Sequence, residues 1–132
     1  MDNQLILVDL PGYGYAKRSP EEKKRWSALV DGYFTANENA HLLCGVAQLI
    51  DLKVGITKDD AMMLEFLRQT KLPFFIVATK TDKLNVTERN AALASLRAHS
   101  LVGEDITIVP FSALKGDGKD AAWRAITALV QE

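Results

Sequence analysis

The run Pro73-Phe74-Phe75-Ile76-Val77-Ala78-Thr79-Lys80-Thr81-Asp82-Lys83 decides how the rest of the 132-residue chain is read. Its first six residues are an apolar block of strand length, and a polar Thr-Lys-Thr-Asp tetrad follows at once. Apolar residues without alternation predict a strand buried on both faces, as in a parallel sheet. Parallel strands need crossovers of a dozen or more residues, and the flanking sequence has segments of that length with helical period.

Working outward, residues 42–51 form a second apolar block, expected to be buried on both faces as well. A helix from about Thr57 follows, capped by that threonine with Asp60 three positions on, and expected to carry Met62, Met63, Phe66 and Leu67 toward the core. Beyond the tetrad the pattern predicts a helix over about 87–99, a strand over 106–111, and a last helix with Trp123, Ile126, Thr127 and Val130 on one face. Toward the N-terminus, Leu5-Ile6-Leu7-Val8 is a further strand, and Ser19-Pro20-Glu21-Glu22 opens a helix whose Trp26, Leu29, Val30, Tyr33 and Phe34 form one apolar stripe. Strand and helix alternate four times, which predicts a doubly wound, mostly parallel α/β sheet with helices on both faces.

Composition bounds the function. Sixteen lysines and arginines against seventeen aspartates and glutamates give no global charge for nucleic acid or membrane binding. No stretch reaches the about 20 apolar residues of a membrane span, and Met1-Asp2-Asn3-Gln4 is not a secretory leader, so a cytoplasmic protein is expected. Cys44 is the single cysteine, which excludes an internal disulfide, and its apolar surroundings predict a buried core residue. His41 and His99 lack ligand-like spacing and are expected at the surface.

Three motifs fall where strands run out into loops, the place where open α/β sheets bind ligands. They are Asp9-Leu10-Pro11-Gly12, Thr79-Lys80-Thr81-Asp82 and Ser112-Ala113-Leu114-Lys115. Guanine presents two adjacent donors, N1–H and its exocyclic amino group, which one carboxylate accepts together. Asp82 is the candidate for that carboxylate. Adenine would set an acceptor against it and leave a charge unmatched. Lys80 would lay its aliphatic stem over the base, Thr79 would tie the loop to neighbouring backbone, Ser112 would brace the next loop, and the N–H of Ala113, beside Leu114, would donate to guanine O6. At the first motif Asp9 could hold Mg2+ through water while the Gly12 N–H approaches a terminal phosphate. Tyr13 stands where many GTPases carry a glutamine that orients the attacking water. That task would fall to a monovalent cation or to a partner.

With these residues in place, the chain resembles the EngB-type bacterial GTPases, which are TRAFAC-class G domains of the P-loop NTPase fold. The resemblance is carried by Val8-Asp9-Leu10-Pro11-Gly12-Tyr13-Gly14-Tyr15-Ala16, Thr79-Lys80-Thr81-Asp82-Lys83 and Phe111-Ser112-Ala113-Leu114-Lys115, with Ile50-Asp51-Leu52-Lys53 and the Trp26 helix also alike. It implies GTP and GDP as ligands, Mg2+ and K+ as accompanying ions, hydrolysis of GTP, and a monomer acting in assembly of the large ribosomal subunit and linked to cell division and septation. It also implies that residues 1–132 are a partial, N-terminally incomplete G domain, because the sequence contains no G-x-x-x-x-G-K-[ST] phosphate loop. A sheet lacking the strand before that loop is expected to have a gap between its first and second strands, closed by a shift of the first strand, by a segment supplied from elsewhere, or by a longer gene product.

Two other readings stay open. One is a ribosome or rRNA interaction module that hydrolyses nothing, with Lys17, Arg18, Lys23, Lys24 and Arg25 as its phosphate contacts. The other is a generic nucleotide-binding α/β domain such as a flavodoxin-like protein, which the loop Pro11-Gly12-Tyr13-Gly14 does not favour.

Overall fold

The structure, a computed structural model, describes residues 44–70 and 72–130, together with Ala28 and Gly32. The chain falls into two units, Met1–Cys44 and Gly45–Glu132, and the second carries the described strands. Of the helix expected after Pro20, Ala28 and Gly32 are described, and both are helical. The strand at residues 5–8 and the question of a gap beside it lie outside the described residues.

Three strands run in sequence order through one sheet: β1 (Val46–Asp51), β2 (Phe74–Thr79) and β3 (Ile108–Pro110). Both pairings are parallel, with Val46 opposite Phe74 and Ile76 opposite Ile108. Between and after them lie α1 (Lys58–Thr70), a short 3₁₀ turn (Thr81–Lys83), α2 (Val86–Ala98) and α3 (Lys119–Val130). Helices cover both faces of the sheet. Leu64 of α1 and Leu96 of α2 pack with Ile50, Ile76 and Ala78 on one face. On the other, Phe75, Val77 and Val109 meet Ala121, Ala122, Ala125, Ile126 and Leu129 of α3. The doubly wound α/β arrangement is therefore present, and among the described strands β2 is the central one, buried on both faces from Phe75 to Ala78.

The helix starts follow from local hydrogen bonding. The Asp60 N–H donates to Thr57 Oγ1 at 3.1 Å and the Thr57 N–H donates to Asp60 Oδ2 at 3.0 Å, a reciprocal cap with a short acid in place of the usual glutamate. Asn85 and Glu88 form the same device at the start of α2, at 2.8 and 3.0 Å. The expected start at residue 87 missed Asn85, whose preceding Leu84 is extended.

Four expectations about burial are corrected. The second strand is one-sided: Gln48 and Ile50 are buried but Leu49 is 61% exposed, because α3 lies over β2 and β3 and no described element covers β1 on that face. In α1 the inward residues are Met63, Leu64 and Leu67, while Met62 is 56% exposed, so the helix is rolled by one position from the expected stripe. In α3 Ile126 packs on the sheet as expected, but Trp123 and Thr127 are exposed, and the rest of the packed face is Ala121, Ala122, Ala125 and Leu129. Cys44 is exposed, because it stands two residues before the strand begins.

Two arginines fix the segment between α2 and β3. Arg68 donates from Nε to the Leu101 carbonyl and from Nη2 to the Val102 carbonyl, both at 2.6 Å. Arg97 donates to the carbonyls of Gly103 and Ile106. Val102 and Ile106 are thereby held in the core with their main-chain acceptors satisfied. His99 is half-buried, and its Nδ1 accepts the Leu101 N–H at 3.1 Å, a local cap rather than a ligand position.

After β3 the chain turns sharply into α3 through Gly118, which has φ +86°. A Cβ there would penetrate the Pro110 carbonyl oxygen and come within 3.1 Å of the Phe111 Cα. Gly118→Ala is expected to destabilise the fold by about 2–4 kcal/mol, combining overpacking against backbone with a left-handed alanine. Urea denaturation of the variant and the parent measures it, and an unchanged midpoint would contradict the turn.

Candidate nucleotide-binding site

The carboxyl ends of β1, β2 and β3 lie side by side, and each leads into a loop that touches its neighbour. At the end of β2, Thr79 Oγ1 donates to the Ile50 carbonyl at 3.3 Å, and the Leu52 N–H donates to the Thr79 carbonyl at 3.1 Å. Lys80 then adopts a left-handed conformation, φ 60° and ψ 37°, the one positive φ of a non-glycine among the described residues. This reversal starts the 3₁₀ turn, whose Lys83 N–H donates back to the Lys80 carbonyl at 3.1 Å. Thr81 is buried within it, and its N–H donates to the Phe111 carbonyl at 3.3 Å.

That turn returns Asp82 toward β3. The Ser112 hydroxyl, fully buried, donates to Asp82 Oδ1 at 2.8 Å and accepts the Lys115 N–H at 3.2 Å. The loop is closed further by the Ser112 N–H on the Asp117 carbonyl (2.9 Å) and the Gly116 N–H on the Ser112 carbonyl (2.8 Å). Ala113 and Leu114 stand exposed at its crest, Leu114 at 80%, and the Ala113 N–H takes no part in these bonds. The second and third motifs, thirty residues apart, thus form one site at the mouth of β2 and β3, with a half-buried carboxylate beside an exposed backbone loop.

One residue that sequence reasoning gave no role belongs to this rim. Asp51, the last residue of β1, sets Oδ2 3.2 Å from Lys80 Nζ. Its Oδ1 accepts the N–H groups of Lys53 (2.9 Å) and Val54 (3.3 Å). Burial alone would raise its pKa, but the Lys80 ammonium and the two N–H donors together outweigh it and hold the carboxyl below its usual value of 3.8. The sequence signal was an acid at the end of one strand and a lysine at the end of the next. Its meaning depends on the two strands being neighbours.

Asp9, Leu10, Pro11 and Gly12 lie outside the described residues, as does the basic cluster from Lys17 to Arg25. Among the described residues no group of three histidine, cysteine or acidic side chains is placed to hold a metal, and no helix is long and apolar enough to cross a membrane.

A parallel sheet wound on both faces, with a Thr-Lys-Thr-Asp loop and a Ser-Ala-Leu-Lys loop at adjoining strand ends, defines a P-loop GTPase fold. The solved structures that it resembles agree. A probable GTP-binding protein EngB superposes with a TM-score of 0.69 at 24% identity, over 93% of this chain and 75% of that one. The elongation factor SelB from Methanococcus maripaludis, bound to a GTP analogue, gives 0.60 at 21% identity, over 68% of this chain and 21% of that one. No family model matches the chain. Curated relatives do: the probable GTP-binding protein EngB of Exiguobacterium sp. (strain AT1b) is 37% identical over the whole of this chain and 66% of its own length. That of Thermosipho africanus is 40% identical over 96% of this chain and 63% of its own length. The chain belongs to the EngB family of GTP-binding proteins and spans just under two thirds of the length of these relatives.

Two outcomes follow from the site's bonding. Ser112→Ala removes the donor to Asp82 and the acceptor of the Lys115 N–H, and is expected to cost about 1–3 kcal/mol in urea denaturation. For Asp51, a folded pKa below the usual 3.8 means that its stabilisation is complete above that value and is lost as pH falls through the lower folded value. The stability difference between parent and Asp51→Asn is therefore expected to hold down to about pH 5 and to shrink as the pH falls from there through the lowered folded value, and a difference independent of pH would contradict the bonding of this carboxylate.

Proposed function

We propose that this chain carries the base-recognition part of a guanine-nucleotide site and that the intact protein hydrolyses GTP. The observation that carries the reading is the Ser112 hydroxyl on Asp82. An ionised carboxylate has about four acceptor positions, so one hydroxyl donor orients the group and leaves capacity for the two adjacent donors of guanine. The Ala113 N–H at the loop crest is the candidate donor to guanine O6. Thr79 has its hydroxyl turned to the neighbouring strand and serves the loop, and Leu114 offers an apolar side chain beside the base. An adenine at the same carboxylate would bury a charge against a lone pair, which such sites reject by about 10⁴ or more.

The phosphate-proximal part of the reading rests on Asp9, Leu10, Pro11 and Gly12 as sequence, with Mg2+ on Asp9 and K+ as the accompanying cations. Residues 1–132 are proposed as a partial G domain. In the family reading the intact protein is cytoplasmic and acts with the large ribosomal subunit or its rRNA during assembly, in support of cell division and septation. GTP-dependent co-sedimentation with purified large subunits tests that role.

For the base site, isothermal titration of the protein with GDP and with ADP is the direct measurement. The parent is expected to prefer GDP. Asp82→Ala is expected to lower GDP affinity by about 10- to 100-fold, the size of a lost hydrogen-bonded charge, and to bring GDP and ADP close together while the circular dichroism spectrum is unchanged. Equal GDP affinity in the variant and the parent would overturn the assignment.

A further inference from the structure

We propose that Asp51 is a positioning residue for Lys80, drawing its ammonium to the end of β1 so that the aliphatic stem is held along the rim where a purine ring would stack. This rests on the guanine-nucleotide reading above and adds a residue outside the three motifs.

Asp51 is itself firmly fixed. One carboxylate oxygen accepts two backbone N–H groups, from Lys53 and Val54, and the Asp51 carbonyl accepts the Gly55 N–H at 2.9 Å. The remaining oxygen has a single orientation, and Lys80 Nζ lies 3.2 Å from it. Strand register then fixes the reach. Asp51 is paired with Thr79, and Lys80 is the next residue, so the stem runs from the end of β2 to the end of β1. The backbone at Lys80 is left-handed, a conformation disfavoured for an L-residue and held here by the bonds of the 3₁₀ turn that begins immediately after it.

Stability does not account for the pair. The Lys80 side chain is 58% exposed, and an exposed ion pair contributes little to folding because both charges remain hydrated and the lysine loses rotamer freedom. Orientation is what the contact does supply. A free lysine stem samples many rotamers, whereas one tethered at both ends presents a fixed apolar edge with a cation at its tip. That is the form in which a lysine stacks on an aromatic ring.

A double-mutant cycle tests the role. GDP and ADP are titrated into the parent, Asp51→Asn, Lys80→Met and the double variant. Asp51→Asn is expected to weaken both nucleotides alike, by about two- to fivefold, the size of an exposed cation–ring contact. The GDP-to-ADP preference should be unchanged, because Asp82 is untouched, and the double variant should be no weaker than Lys80→Met. A parent that prefers GDP, combined with an Asp51→Asn variant of parental affinity or with losses that add in full, would overturn the positioning role alone. A parent with no preference for GDP would overturn the base-site reading, and this role with it. If Asp51→Asn does not fold, Lys80→Met decides: it must weaken GDP and ADP to the same degree, and parental affinity would overturn the proposal.

Discussion

A single hydroxyl, that of Ser112, holds together two loops that local sequence would leave independent. It is buried, it donates to Asp82, and it accepts from its own loop at Lys115. Each of these depends on the sheet beneath, since the Ser112 loop is set by Phe111 pairing with Ala78 and the Asp82 turn by Thr81 reaching the Phe111 carbonyl. The order of β1, β2 and β3 is therefore a condition of the site as well as a frame for it. Were β3 displaced by one register position, the carboxylate would lose its donor and the loop its brace.

The fold was legible where a signal was local and strong. Phe74–Thr79 reads as a doubly buried strand because its residues leave no polar face, and Thr57 with Asp60 reads as a cap because three-residue spacing suffices to close it. What escaped was whatever depended on which element covers which. Leu49 looks like a core residue until α3 is seen to lie over β2 and β3. Met62 is exposed and Leu64 buried, while Met63 and Leu67 point inward as expected, because periodicity gives a stripe but not the roll of a helix about its axis. Trp123 drew attention as an aromatic, yet the packed face of α3 is made by Ala121, Ala122, Ala125, Ile126 and Leu129.

The site divides along the same line. Thr79, Lys80, Asp82, Ser112 and Ala113 were visible as motif residues, and their convergence needed only that two strands be adjacent. Asp51 was visible only as part of a resembling string, since its contact with Lys80 joins residues from different elements. Arg68 and Arg97 gave no signal, because the bonds that fix the segment go mainly to carbonyl oxygens, which any residue supplies, and the Arg68–Asp105 pair joins residues 37 apart.

Those arginine contacts have a consequence for how the sequence can change. A guanidinium that grips carbonyls is blind to the side chains that flank them, so most of the hold on residues 101–106 comes from outside the segment, with Asp105 adding a side-chain contact 3.3 Å from Arg68. Glu104, exposed at its middle, contributes nothing to that grip. Exposed positions such as Glu104 can thus change while buried Val102 and Ile106 and left-handed Gly103 keep the course constant, and a spectroscopic label attached at Glu104 would report on a backbone held from both sides.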